Sequence, residues 1–183
     1  MKQMIGNYLL NRKLLKLKQT KAFNGINKAK SIGILFDATK YDSYKAVKSL
    51  VKELTANNKN VKALGYVNNK KKDDQYLSDK IWQFVCKKDF NWINQPTDSS
   101  VDSFANESFD ILIVLAVDPY FPIRYISSLS KSLFRVGLNG VEDSIFDMVL
   151  QVKPNESMEH HISVTMQYLK MISNQKEPEL ELA

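Results

Sequence analysis

The sequence has few of the residues that build metal and disulfide sites. It contains one cysteine, Cys86, and two histidines, which stand side by side as His160 and His161. A lone cysteine forms no internal disulfide, and without Cys or His partners at ligand spacing it forms no zinc ribbon or finger. Neighbours on a helix point about 100° apart, so the two histidines do not face one metal ion and at most one is buried. We therefore predict no metal site and a reducing compartment.

Long hydrophobic runs are also missing. The longest purely apolar run covers residues 111–117, whereas a helix needs roughly 20 apolar residues to cross a bilayer. The apolar stretch near the start is broken by Asn7 and followed by Arg12 and Lys13 instead of a small-residue cleavage site. We expect a cytoplasmic protein with no transmembrane segment.

Glycine is scarce, with six residues in the chain, and the glycine-rich phosphate loops are absent. Neither G-x-G-x-x-G nor the Walker lysine loop occurs, and the turn 37–42, Asp-Ala-Thr-Lys-Tyr-Asp, has no glycine to let a backbone approach a pyrophosphate. No G-x-S-x-G elbow surrounds the serines at 127–132. We predict no cofactor.

What is present is the composition of a soluble globular protein. The chain has 183 residues, 44% of them hydrophobic and 25% charged. This length suits one domain of ordinary size, and the composition excludes collagen-like and wholly disordered chains.

The positive charge is concentrated at the start of the chain. Residues 1–30, here called the arm, hold eight of the 26 basic residues and no acidic residue, so residues 31–183 hold 18 basic against all 20 acidic residues. Apolar residues recur in the arm at spacings of three and four, which predicts an amphipathic helix over 2–20 that ends before Asn24-Gly25. The cations that we expect to meet an anionic partner are Arg12, Lys13, Lys16, Lys18 and Lys21.

Three interpretations of the arm remain open. Its apolar stripe packs on the chain's own sheet or on a second copy in a homodimer, with the lysines as a solvated face. Alternatively, the lysines bind the phosphates of RNA or a ribonucleoprotein, for which unopposed cations suffice. In the third, the helix lies on an anionic membrane surface as a peripheral contact.

The rest of the chain alternates strand and helix patterns. Buried apolar runs predict strands at 31–37, 61–67, 81–86 or 81–90, 109–117, 134–138 and 146–152. Helical spacing of apolar residues predicts helices at 42–56, 98–107, 122–133 and 157–173. The first of these helices has Asp42 as its expected N-cap. This order predicts one three-layer α/β sandwich over 31–174, Rossmann-like or flavodoxin-like, with five or six mostly parallel strands. Residues 175–183 are expected to form an acidic, frayed tail.

Ligands of open parallel sheets bind beyond the carboxyl ends of the strands. That rule nominates residues as a candidate ligand crevice, although polar residues also end buried strands simply because the chain reaches water. Asp37 and Asp118 are the pair that we expect to converge for acid/base work or ligand binding. The candidates are Asp37, Thr39, Asp118, Tyr120, Gly137 and Asn139.

Four segments carry a family resemblance: 31–37, 109–122, 125–131 and 134–137. Together they resemble an uncharacterised family of small bacterial α/β proteins, which implies a bacterial cytoplasmic protein of this fold class and no mechanism. More distantly, the block is similar to the N-terminal domain of heptosyltransferase-type glycosyltransferases. Those enzymes bind their nucleotide sugar mainly in a second Rossmann domain, for which this chain lacks the length, so the likeness implies a non-catalytic role.

The leading hypothesis from the sequence is a non-catalytic accessory or interaction protein whose basic arm engages RNA or a ribonucleoprotein. The alternative is a small enzyme or ligand-binding domain that uses the crevice around Asp37 and Asp118. In a further alternative, the arm mediates dimerisation or membrane attachment.

Overall fold

A computed structural model describes residues 8, 10, 12, 14, 20–139 and 145–174. Within this part of the chain, the structure gives bounds for six strands and four α-helices. The strands are β1 (Ser31–Asp37), β2 (Asn60–Val67), β3 (Trp82–Cys86), β4 (Ile111–Leu115), β5 (Phe134–Leu138) and β6 (Met148–Leu150), and the helices are α1 (Tyr41–Ala56), α2 (Ser99–Asn106), α3 (Phe121–Leu129) and α4 (Met158–Asn174). Among these described residues, no α-helix lies between β2 and β3 or between β5 and β6.

All six strands form one parallel sheet in the order β3-β2-β1-β4-β5-β6. This confirms the predicted α/β class and decides between the two predicted variants. The order is that of Rossmann-like sheets, whereas flavodoxin-like sheets have the order 2-1-3-4-5. Because the chain turns back across β1 to place β4, the sheet has its switch point between β1 and β4.

Each face of the sheet is covered by its own pair of helices. Alternating side chains of β1 illustrate this, since Ile34 and Phe36 pack on the face covered by α1 and α4, while Leu35 packs on the face covered by α2 and α3. All residues of β4 are buried, and the strand is covered on both faces. Its sequence is therefore an uninterrupted apolar run, as expected for a central parallel strand. The first face also contains Ile26 and Ala29, so the core reaches into the residues that the sequence assigned to the arm.

Several predicted boundaries are wrong by a few residues. The strand β3 ends at Cys86 and does not reach Phe90, because a 3₁₀ turn follows in which the Asp89 carboxylate accepts a hydrogen bond from the Cys86 amide at 2.8 Å. The N-cap of α1 is Lys40, and Asp42 lies in the first turn. Helix α3 ends at Leu129 instead of residue 133, and β6 is shorter than 146–152.

The outer edge of β3 is covered by side chains. Asp79 makes hydrogen bonds to both backbone groups of Trp82. Its carboxylate accepts from the Trp82 amide at 2.8 Å, and its own amide donates to the Trp82 carbonyl at 2.8 Å. The Lys72 ammonium donates to the Phe84 carbonyl at 2.6 Å. With Asp89 on the Cys86 amide, side chains or loop backbone hold groups of Trp82, Phe84 and Cys86 on this edge strand.

Candidate ligand-binding crevice

A crevice with a volume of about 590 Å³ lies at the switch point of the sheet. Three segments that are distant in the chain form it: the turn from β1 into α1, the turn from β4 into α3, and the loop after β6 together with the first turn of α4. This is the position where Rossmann-like sheets bind their ligands. The lining residues are Asp37, Lys40, Asp42, Ser43, Ala116, Val117, Asp118, Tyr120, Pro154, Glu156, Ser157, Met158, Glu159 and His161.

The structure brings three of the six nominated residues to this crevice. Asp37, Asp118 and Tyr120 all line it. The other three have structural contacts elsewhere. The Thr39 hydroxyl accepts a hydrogen bond from the Asn68 amide at 3.0 Å.

Gly137 and Asn139 belong to the end of β5, away from the crevice. A Cβ on Gly137 would lie 2.8 Å from the ring of Phe146, so this glycine makes room for an aromatic side chain. The Asn139 side chain accepts from the Val152 amide at 3.0 Å, and the Asn139 amide donates to the Leu150 carbonyl at 3.0 Å. Both residues thus join β5 to β6 and its following loop.

The lining carries an excess of negative charge. Among the described lining residues are five with carboxylates and one with an ammonium group, Lys40. Some of these carboxylates have partners: Asp42 pairs with Lys45 at 2.6 Å, and that hydrogen bond and charge lower the pKa of Asp42. The Glu159 charge acts on the same lysine, whereas the Asp118 carboxylate has no ion-pair or hydrogen-bond partner among the described residues.

Two backbone amides of the β1–α1 turn, those of Ala38 and Thr39, are already used within the protein. The Ala38 amide donates to the Tyr66 carbonyl at 2.9 Å, and the Thr39 amide donates to the Asp37 carboxylate at 2.9 Å. The Tyr76 hydroxyl holds the same turn by donating to the Ala38 carbonyl at 2.6 Å. In dinucleotide-binding folds it is the amides of a glycine-rich turn here that approach the phosphates. This turn instead presents the carboxylate of Asp37.

His161 is among the lining residues that the sequence did not nominate. Its ring is 3% exposed, whereas His160 is exposed and pairs with Glu156 at 3.4 Å, in agreement with the prediction that at most one histidine is buried. The His161 Nε2 lies 3.1 Å from the Lys153 carbonyl oxygen. Since a carbonyl only accepts, Nε2 carries the proton, and in the neutral ring Nδ1 is the acceptor.

The family model for a family of unknown function, DUF6913, matches residues 2–172. The chain belongs to this family. No curated protein and no solved structure matches it. Membership in DUF6913 agrees with the expected resemblance to a family without established activity, and the distant likeness to heptosyltransferases stays a prediction.

In this member of DUF6913, the described part of the arm packs against the body. Tyr8, Leu10, Arg12 and Leu14 have helical backbone. Leu10 is 5% exposed and belongs to the core on the α2 and α3 face, with Leu14 packed beside it, while Arg12 is exposed. This is the packing expected for the apolar stripe of an amphipathic helix.

Of the cations predicted for the arm, the structure describes Arg12 and Lys21. Lys21 pairs with Asp147 at 2.8 Å, and Asp147 also lies 3.8 Å from the buried Arg135, so the charge of Lys21 is partly balanced by the body. Lys13, Lys16 and Lys18 lie outside the described residues, as does the tail 175–183.

The described residues include no group of three or more His, Cys, Asp or Glu side chains arranged for a metal ion. They also include no helix long and apolar enough to cross a membrane. Cys86 is buried, and burial is the main cause that raises the pKa of its thiol, which disfavours the thiolate a nucleophile needs.

Proposed function

We propose that the crevice between β1 and β4 binds a small polar ligand that is uncharged or positively charged. The observation that carries the proposal is the composition of its lining, in which the described residues include five with carboxylates and one lysine at the standard ligand position of this fold. Its volume of about 590 Å³ suits a metabolite-sized molecule.

The electrostatics favour a cation over an anion. Asp118 is exposed with no counter-charge paired to it among the described residues, and the amides of Ala38 and Thr39 are already bonded within the protein. Ser43 and Ser157 add hydroxyl groups to the lining. An amine with several hydroxyl groups would therefore find both counter-charges and hydrogen-bond partners, whereas a phosphate would meet like charge.

The likeness to heptosyltransferase N-terminal domains is compatible with this proposal. In those enzymes the nucleotide sugar is bound mainly by the other domain, so a crevice without a glycine-rich phosphate loop fits such an N-terminal domain. The proposal concerns binding and assigns no reaction to the crevice.

The experiment compares three sugars of similar size and different charge: glucosamine, N-acetylglucosamine and glucose 6-phosphate. We expect calorimetry or NMR titration to show binding in the order amine, neutral sugar, phosphate. At the exposed Asp118, losing one charge about 4 Å from an ammonium group costs about 1 kcal/mol, so Asp118→Asn should weaken glucosamine binding about fivefold.

The matched control is Asp102→Asn, because Asp102 is an exposed aspartate on α2 and outside the crevice. Binding of the control should equal that of the unaltered protein. Preferential binding of glucose 6-phosphate, or equal effects of Asp102→Asn and Asp118→Asn, would contradict the proposal.

A second candidate function is the binding of RNA or a ribonucleoprotein by the arm. It is favoured by the burial of Leu10 against the body together with the exposure of Arg12, because a cation two residues from the buried leucine is available to an anionic partner. Phosphate contacts from cations of the arm would give salt-dependent and sequence-independent affinity.

Removal of residues 1–30 would not test this function cleanly, since it also removes Leu10, Ile26 and Ala29 from the core. Charge substitution in the full chain is the better experiment. We expect Arg12→Glu with Lys16→Glu to lower the affinity for structured RNA and the slope of log affinity against log salt, while Lys87→Glu with Lys88→Glu should leave both unchanged.

Light scattering and sedimentation with anionic vesicles distinguish the remaining alternatives for the arm. Arm-dependent dimerisation, or arm-dependent vesicle binding without RNA binding, would replace the RNA hypothesis by the corresponding alternative.

A further inference from the structure

A groove with a volume of about 720 Å³ runs along the outer side of α1, on the opposite side of that helix from the crevice-lining start of α4. Its apolar surface comes from Val51 on α1 and from Ile81 and Trp82 at the start of β3. Three lysines of α1 form its rim, and none of the described residues that line it is acidic. These lysines are Lys45, Lys48 and Lys52.

Two of the three lysines lack a counter-charge. Lys45 pairs with Asp42 at 2.6 Å and lies over the ring of Tyr41. Lys48 and Lys52 are exposed and have no ion-pair partner among the described residues. They are four residues apart, so they project from the same face of the helix. The groove is therefore apolar at its base and cationic at its rim, which suits an acidic segment with apolar side chains.

The chain itself contains such a segment, and it follows α4 directly. Residues 175–183 read Gln-Lys-Glu-Pro-Glu-Leu-Glu-Leu-Ala, in which acidic and apolar residues alternate. In an extended chain alternate side chains point to opposite sides. Glu177, Glu179 and Glu181 would thus share one side, and Leu180 and Leu182 the other.

The end of α4 lies near the C-terminal half of α1, from which a nine-residue segment can extend along α1. Helix α4 packs on α1, with the Lys170 ammonium 3.9 Å from the Glu53 carboxylate, and it ends four residues later at Asn174. Nine extended residues span at most about 30 Å, whereas the 16 residues of α1 are about 24 Å long. The segment is long enough to pass the C-terminal end of α1 and lie along the groove.

We propose that residues 175–183 dock in this groove in the same molecule, with glutamates against Lys48 and Lys52 and leucines over Ile81 and Trp82. This inference is independent of the ligand proposed for the crevice. The docked segment would cover the lysine-rich face of α1 and restrict it to partners that displace an acidic peptide.

Zero-length carbodiimide cross-linking of the full chain, followed by mass spectrometry, tests the contact directly, because the reagent joins amines only to carboxylates in contact. We expect cross-links from Lys48 or Lys52 to glutamates of 175–183, with a yield independent of protein concentration. The internal control is the exposed pair Lys87 and Lys88, which lies away from the groove. Equal cross-linking of that pair would overturn the proposal.

A mixture of light and ¹⁵N-labelled protein identifies which molecule supplies the segment. Cross-links only within one isotopic form support docking in the same molecule. Mixed-isotope cross-links as the main product would show that a second copy supplies the segment, and would overturn the proposal as stated.

Iodide quenching of tryptophan fluorescence is a second test of docking, and it leaves the lysines and glutamates unchanged. Trp92 is 67% exposed and would dominate the signal, so the fluorescence of Trp82 is followed in a Trp92→Phe background. Leu180→Ser with Leu182→Ser should uncover Trp82 and its lysine rim, and we expect its quenching constant for iodide to rise at least roughly twofold. The control Leu77→Ser, at an exposed leucine outside the groove, should have no effect. An unchanged constant in the double variant would contradict docking.

Discussion

Gly33, near the centre of β1, lies directly beneath the ring of Phe109. A Cβ added at Gly33 would lie 2.6 Å from one ring carbon of Phe109 and 2.7 Å from another. Ordinary van der Waals contact begins at about 3.4–4 Å, so Gly33→Ala requires a displacement of nearly 1 Å. The ring has little space to move, because Phe109 is 1% exposed and packs on Phe104 with ring centroids 5.1 Å apart.

The expected loss of stability is the difference between two opposing effects. Overpacking of a well-packed core costs about 1–3 kcal/mol. Replacing glycine by alanine where the backbone conformation is compatible restricts the unfolded chain and restores about 0.5–1 kcal/mol. We therefore expect Gly33→Ala to lower the free energy of unfolding by about 1–2 kcal/mol, which at a urea m value of about 2 kcal/mol/M lowers the midpoint by about 0.5–1 M.

A double-mutant cycle with Phe109→Ala identifies the cause. Phe109→Ala alone should cost about 3–5 kcal/mol, and in that background Gly33→Ala should become neutral or stabilising, because the ring that it met is gone. The coupling between the two substitutions should be at least about 1 kcal/mol. An unchanged urea midpoint for Gly33→Ala, or the same penalty with and without the ring, would refute the steric argument.

Three further predictions concern single side chains. Burial raises the pKa of Asp110, but hydrogen bonds to its Oδ2 from the start of β1, including the Ser31 amide at 2.9 Å, prevail and lower it. The stability that this carboxylate contributes is therefore present above its unfolded pKa of about 3.9 and is lost as pH falls through the lower folded value. Urea unfolding should show a loss of stability for Asp110→Asn at pH 7 that becomes smaller towards pH 3, and a loss that grows in acid would contradict this assignment. Cys86 should react slowly with a thiol reagent such as DTNB in the native protein and rapidly in urea, since burial raises its thiol pKa; rapid native labelling would show that the side chain is accessible. Tyr76→Phe removes the hydrogen bond to the Ala38 carbonyl and should lower the free energy of unfolding by about 0.5–1.5 kcal/mol, and calorimetry showing no loss would mean that this bond does not hold the β1–α1 turn.

Most of the fold follows from local patterns in the sequence. The apolar run of β4 and the helical spacing in α1 are each long enough to determine the element on their own. Boundaries are less determined, as the N-cap of α1 shows. Asp42 is a favoured capping residue by type, but in the structure its carboxylate pairs with Lys45 one turn later and Lys40 takes the cap position.

The crevice could be predicted only in part, because its location depends on strand order. Residues that end strands were nominated alike, but only those beside the switch point line the crevice, so Asp118 lies there and Asn139 does not. The sequence alone does not show that β5 is separated from the switch point by β4. His161 was not nominated for a related reason. Its helix follows β6, the edge strand, and only the three-dimensional structure shows that the start of this helix lies at the crevice between β1 and β4.

The covered edge of β3 determines how this sheet can respond to crowding and to partial unfolding. A strand arriving from another molecule must first displace Asp79, Lys72 and Asp89 from the backbone groups that they occupy, before it gains a single ladder bond. Growth of the sheet at that side therefore begins with a loss of bonding. Opening the loop before β3, which supplies Lys72 and Asp79, would expose backbone groups of Trp82 and Phe84 to pairing, so we expect sheet-to-sheet association at this edge to begin with that local opening.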